Sequence, residues 1–140
     1  MNDQGSLKRY LVIVADRQHG RFFTIFMGTF EDQGEWVEDK DVPQRIKAEG
    51  FRVAKIGRHI IEHLHKHLKH VGDEALNYLV KRRIKGINGV ILGSHQELLS
   101  SLKKSLPPKL KNKVVGEFVA DWHLSIGDLT EKANEVLRYN

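Results

Sequence analysis

Four histidines recur along one stretch of the sequence at about the spacing of helical turns: His59, His63, His67 and His70. Imidazoles four residues apart are neighbours on a helix, and two of them can share a metal ion. Each step of four residues rotates the side chain by about 40° around the helix axis, so only adjacent histidines are placed to bind the same metal ion. We interpret the row as a boundary between core and solvent. A metal site at His59, His63 and His67 is the alternative.

A second set of polar residues lies close to predicted strand ends: Asp16, His19, Asp121 and His123. A mixed sheet could gather them at one edge, as in a metal-dependent hydrolase or nuclease. The sequence contains no zinc-protease motif of the type His-Glu-x-x-His. We therefore predict no catalytic residue, no metal and no cofactor, and keep the hydrolase as an alternative.

Basic residues are concentrated around the histidine row. Residues 45–85 contain 11 Lys or Arg against four Asp or Glu, a net charge of +7, whereas the rest contains 12 against 14, or −2. Lys and Arg neutralise phosphates without contacting bases, so this concentration favours a polyanionic partner such as RNA. The predicted RNA-binding residues are Arg45, Lys47, Arg52, Lys55, Arg58, Lys66 and Lys69.

An amphipathic helix is predicted to position these side chains, within the stretch from Arg45 to Val71. Apolar residues share one of its faces at about 100° per residue: Val53, Ile56, Ile60, Leu64, Leu68 and Val71. Residues 43–50 are polar and contain Pro and Gly, which indicates a loop before the helix. We expect Phe51 in the core more than on an RNA base. The helix is predicted to break near Gly72 and a second one to run over 73–83.

The other elements follow from apolar runs and turn residues. Strands are predicted at 10–16 and 21–27 as an antiparallel hairpin, and at 35–38, 89–92 and 114–120. Residues 28–41 carry six acids and one lysine and are predicted to form a solvated edge. The order β-β-β-α-α-β-α-β-α predicts an α/β domain with a mixed sheet of about five strands packed with helices.

Three details of the second half are predicted from local patterns. Ser94 and Glu97 have the spacing of a capping box, which would start a helix that ends at Pro107. Residues 109–113 are predicted to be a basic loop. Ser125 is predicted to start a final helix that runs to about Leu137.

Length and composition predict one domain over residues 1–140. The 140 residues are 40% hydrophobic and include no apolar run of about 20 residues that could span a bilayer. The first residues are too polar for a secretory signal. The absence of cysteine excludes disulfides and thiolate metal sites and fits a cytoplasmic protein.

The order of elements and several phrases resemble the central domain of eukaryotic and archaeal peptide-chain release factor subunit 1 and of Pelota. The matching phrases are Leu11-Val-Ile-Val-Ala-Asp16, Gly20-Arg21-Phe22-Phe23, Arg58-His59, Gly89-Val-Ile-Leu-Gly-Ser94, and Lys113-Val-Val-Gly-Glu117 before Asp121. The resemblance runs from about Tyr10 to Leu137. Bacterial relatives occur, some of them described as host-attachment proteins.

The resemblance implies a fold and partners, but this sequence differs from the family at the catalytic motif. Release factors of this kind carry Gly-Gly-Gln in the loop before the long helix, and it assists hydrolysis of peptidyl-tRNA. The corresponding loop here has one glycine, and its nearby glutamine, Gln44, precedes the basic run. The resemblance thus implies a ribosome- or RNA-docking module without this hydrolysis, and without the flanking domains of those proteins.

The sequence leaves three classes of function open. The first is a module that binds the ribosome, rRNA or tRNA, in ribosome rescue or translation regulation. The second is the metal-dependent hydrolase or nuclease, and the third is a protein-interaction module of the host-attachment type. No membrane partner is expected, and the sequence does not fix an oligomeric state.

Overall fold

Six strands form one mixed sheet in the part of the chain that the structure describes. The structure is a computed structural model that describes residues 7–40 and 51–139, with the backbone alone for 51–60. The strands are β1 (Arg9–Ala15), β2 (His19–Phe26), β3 (Thr29–Phe30), β4 (Glu35–Glu38), β5 (Gly89–Ser94) and β6 (Val114–Val119). Their order is β3-β2-β1-β5-β6, and β4 also pairs with β2.

The predicted α/β fold class and mixed sheet are confirmed, with one strand more than expected. β1 and β2 form the predicted antiparallel hairpin, while β1, β5 and β6 are parallel. The additional strand is the two-residue β3, which is too short to show a periodic pattern. It follows a turn in which both Met27 and Gly28 have positive φ.

Four helices cover the two faces of the sheet in the described ranges. They are α1 (Phe51–Lys81), α2 (Leu99–Ser105), α3 (Pro108–Lys111) and α4 (Ile126–Arg138), and a 3₁₀ turn at Gln96–Leu98 precedes α2. Strand side chains alternate between the faces. Leu11, Ile13 and Phe22 therefore pack in the core with α1 and α2, while Val12, Val14 and Phe23 pack in the core with α4.

Helix α1 continues through Gly72, so the predicted break there is wrong. It is one helix of 31 residues, and its Leu64, Leu68 and Val71 lie in the core as predicted. The glycine has a packing role, because a Cβ at this position would lie 2.9 Å from Cδ of Pro107. Its cost in helix propensity is about 1 kcal/mol, which the surrounding core contacts outweigh.

The part of the predicted apolar face that precedes Leu64 lies outside the described side chains. It comprises Val53, Ile56 and Ile60, for which the structure gives only helical backbone, as it does for Phe51. The loop predicted over residues 43–50 also lies outside the described residues.

Two local predictions in the second half are wrong, and one is confirmed. Ser94 belongs to β5, and its Oγ donates to the carbonyl oxygen of Ala15 at 2.7 Å, so it caps no helix. Residues 109–111 of the predicted basic loop belong to α3, which starts at Pro108, a residue suited to a first helical turn. Ser125 does cap α4, and its Oγ accepts from the N–H of Asp128 at 3.0 Å.

Candidate functional site

Polar side chains collect at one edge of the sheet, where its parallel strands end. Asp16 follows β1, His95 follows β5 and Asp121 comes shortly after β6. Open α/β sheets commonly place their functional groups outside the carboxyl ends of the strands. β4 and one side of α1 also lie at this edge, so residues distant in sequence come together there.

The turn between β1 and β2 brings Asp16 and His19 together. Oδ1 of Asp16 accepts from the backbone N–H groups of Gln18 at 2.8 Å and His19 at 2.6 Å, and it lies 3.0 Å from Nδ1 of the His19 ring. On the other side of the imidazole, Nε2 lies 3.4 Å from Oε2 of Glu38 in β4. The carboxylate of Asp16 therefore shapes the turn and orients the His19 ring.

Asp39, the residue after β4, contacts two histidines of helix α1. Its Oδ2 lies 2.6 Å from Nδ1 of His67 and 2.9 Å from Nδ1 of His70. Burial by itself would raise the pKa of Asp39, but the hydrogen bonds from these histidines outweigh it and hold the pKa below its usual value. The carboxylate is therefore ionised at neutral pH.

His67 is buried, with 1% of its surface exposed, so its interpretation as a boundary residue is wrong. Its Nε2 lies 3.0 Å from the carbonyl oxygen of Asp16, opposite the contact of Nδ1 with Asp39. Through its two ring nitrogens, His67 therefore connects α1 with Asp39 and with the end of β1.

Three aromatic rings line the outer part of the same edge. His19 stacks on Trp122 with ring centroids 4.1 Å apart and planes 9° apart, and Trp36 lies 6.3 Å from Trp122. Nη1 of Arg21 donates to the carbonyl oxygens of Trp122 at 3.0 Å and Leu124 at 2.6 Å, which fixes the loop that carries Trp122. Partial burial lowers the pKa of Arg21 from its usual value.

The residues predicted for a hydrolase do not form one constellation. Asp16 and His19 contact each other. Asp121 instead pairs with His95, with 2.7 Å between Oδ1 and Nε2. His123 is exposed, and its ring lies edge-on to that of Trp122. Among the described residues, no three His, Asp, Glu or Cys side chains are grouped as metal ligands. The predicted metal site includes His59, whose side chain lies outside the described part of the chain.

The basic residues that can be examined lie on the exposed side of α1. Lys66 and Lys69 are exposed, and Nζ of Lys69 lies 3.1 Å from Oδ2 of Asp73. Both lysines line a cleft of about 540 Å³ together with His63, His70 and Asp39, among others. Of the other predicted RNA-binding residues, Arg45 and Lys47 lie outside the described residues, and Arg52, Lys55 and Arg58 are described only as backbone.

Comparison with known proteins identifies the family. The model of bacterial archaeo-eukaryotic release factor family 10 matches residues 5–138, which is nearly the whole chain. The chain belongs to this family. Membership confirms the predicted release-factor-like central domain and supports a role related to translation. No curated protein matches the chain.

Solved structures share the fold of this family 10 domain. The crystal structure of an archaeal translation termination factor, aRF1, is similar with a TM-score of 0.65 and 20% identity over 94% of this chain and 36% of the factor. Another structure, described as an archaeal protein, has a TM-score of 0.60 and 15% identity over 94% of this chain and 38% of its own. The chain thus spans just over a third of each of these proteins.

Sequence reasoning missed Asp39 and Trp122 as members of the site in the family 10 domain. Asp39 belongs to the acidic segment that was interpreted as a solvated edge, and nothing in its neighbours indicates a buried imidazole 28 residues away. Trp122 lies between Asp121 and His123, shortly after β6, and a tryptophan next to these candidate residues was the signal that could have found it. In the described residues, no helix is both long enough and apolar enough to cross a membrane.

Proposed function

We propose that this domain docks on the ribosome or another structured RNA through the outer face of α1, in ribosome rescue or translation regulation. The observation that supports this most directly is the arrangement of α1. Leu64, Leu68 and Val71 are buried against the sheet, while Lys66 and Lys69 are exposed. A single continuous helix therefore presents cations along the side that faces solvent.

Electrostatics also support an RNA partner. Residues 45–85 carry a net charge of +7 within a chain whose net charge is +5. A polyphosphate that contacts these residues releases its counterions, so its affinity falls with salt. The logarithm of the binding constant should fall with the logarithm of salt concentration, with a slope of about −0.7 to −0.9 per phosphate contacted.

Binding to purified ribosomes and to tRNA at a series of salt concentrations tests the proposal. We expect Lys66→Glu combined with Lys69→Glu to weaken binding and to reduce the steepness of the salt dependence by about two units. The matched control is Lys109→Glu combined with Lys111→Glu, which makes the same charge change at exposed positions of α3. Absence of binding at low salt, or equal loss in both variants, would contradict the proposal.

A further inference from the structure

We infer that the open edge of β4 is a second binding surface, which takes an arginine-bearing extended segment of a protein partner. We call this the β4 edge surface and define it by His19, Trp36, Glu38 and Trp122. Its residues are distinct from Lys66 and Lys69 of α1, and the inference does not rest on RNA binding. It rests on free backbone groups, an exposed indole and the charge of the segment.

The backbone of β4 has an unpaired side within the described residues. β4 pairs antiparallel with β2, and the N–H of Asp39 donates to the carbonyl oxygen of Gln18 at 2.7 Å. Successive residues of an antiparallel strand point their backbone groups alternately toward and away from the neighbour. The N–H and C=O groups of Trp36 and Glu38 therefore point away from β2, where an added strand can pair with them.

The side chains of Trp36 and Glu38 lie on the same face of β4, two residues apart. Trp36 is 60% exposed, and its ring lies near Trp122. His19 stacks on Trp122 and also lies 3.4 Å from the carboxylate of Glu38. An indole face and a nearby carboxylate suit a guanidinium group, which stacks on aromatic rings and pairs with carboxylates. An arginine on an added strand can reach both groups.

The local charge decides between a cationic partner and RNA at this surface. Residues 31–41 contain six acids and one lysine, although the whole chain is basic. Three cations of the chain itself partly neutralise this segment: Arg9 pairs with Glu31, Arg82 with Asp32, and Lys81 with Glu35. This acidic segment would still repel the phosphate backbone of RNA, whereas it would attract an arginine-rich segment of a protein.

A capped eight-residue peptide in which arginine alternates with valine tests the inference. We expect saturable binding by calorimetry, weaker binding when lysine replaces arginine, and none when glutamate replaces it. Trp36→Ala should weaken binding at least about fivefold. The control Tyr139→Ala removes another exposed aromatic, 86% accessible and remote in sequence, and should leave binding unchanged.

Amide hydrogen exchange gives a second measurement that does not depend on the substitutions. The backbone amides of Trp36 and Glu38 should become protected when the arginine peptide binds, because an added strand accepts hydrogen bonds from them. Failure of the peptide to bind, or equal binding of the lysine version, would overturn the inference. So would protection of these amides by a single-stranded RNA or by self-association of the protein.

Discussion

At the scale of single residues, the site depends on a buried imidazole with two acceptors. His67 connects the carboxylate of Asp39 with the carbonyl oxygen of Asp16, at 2.6 and 3.0 Å. Loss of the imidazole leaves two partly buried acceptors without this partner, which costs more than a hydrogen bond itself contributes. Among the described histidines of the row, His67 is therefore the structural residue, and His63 and His70 are more accessible.

We expect His67→Gln to lower the free energy of unfolding by about 1–3 kcal/mol, because glutamine cannot reproduce both contacts. The control is His65→Gln on the same helix, which is exposed and should change stability by less than about 0.5 kcal/mol. Urea unfolding at neutral pH measures both. Equal small effects would contradict the role of His67.

The lowered pKa of Asp39 makes a related prediction about pH. A carboxylate whose pKa is lower in the folded state stabilises the fold above its unfolded pKa, and this contribution is lost as pH falls through the folded value. We expect Asp39→Asn to destabilise the protein by about 1–3 kcal/mol at pH 7. The difference from the unchanged protein should shrink as the pH falls below about 4.

Unfolding curves at several pH values measure this difference. The control is Asp73→Asn, because Asp73 pairs only at the surface with Lys69 and should contribute little at any pH. A destabilisation by Asp39→Asn that stays constant down to pH 2 would show that shape, and not charge, is responsible.

At the scale of elements, α1 reaches the sheet at the point where β2 has no side chain. A Cβ at Gly20 would overlap both methyl groups of Val71. Val71 is fully buried, so neither element can move aside without opening the core. This close approach brings His67, one helical turn before Val71, against the turn that carries Asp16 and His19.

We expect Gly20→Ala to lower the free energy of unfolding by about 1–3 kcal/mol through overpacking. Adding Val71→Ala should cost less in this background than in the unchanged protein, because it removes the clashing methyl groups. A double-mutant cycle by denaturant unfolding measures the coupling. Strictly additive effects would show that the two residues do not limit the approach of α1.

At the scale of the whole molecule, family membership and the absence of the Gly-Gly-Gln motif have opposite implications for the release of nascent chains. The chain belongs to a release-factor family, but its sequence contains no Gly-Gly pair and so no Gly-Gly-Gln. We predict that it does not release nascent chains from the peptidyl-transferase centre. Purified ribosomes that carry peptidyl-tRNA measure this, with puromycin as the control that the complexes are competent.

Codon-independent release by this protein would contradict that prediction. If Gln44→Ala then abolished the release, Gln44 would be a displaced catalytic glutamine. Ribosome binding without release agrees with docking as the function.

The sequence by itself determined the fold class, the β1–β2 hairpin, the apolar side of α1 from Leu64 to Val71 and the start of α4 at Ser125. These features depend on short-range patterns, namely apolar runs, helical periodicity and turn residues, which are complete within one segment. Most of the site did not follow from such patterns. Asp39 was interpreted as part of a solvated edge and His67 as part of a boundary, while Asp16 and His19 were predicted only to lie near strand ends.

Only the tertiary structure decided that α1 continues through Gly72 and that Asp39, His67 and Asp16 form one network. Gly72 would end many helices, but close packing against Pro107 requires a residue without a side chain there. The network joins residues from the β1–β2 turn, the end of β4 and the middle of α1. Hydrogen bonds between segments this far apart depend on how the segments pack, and no local pattern of residues encodes that packing.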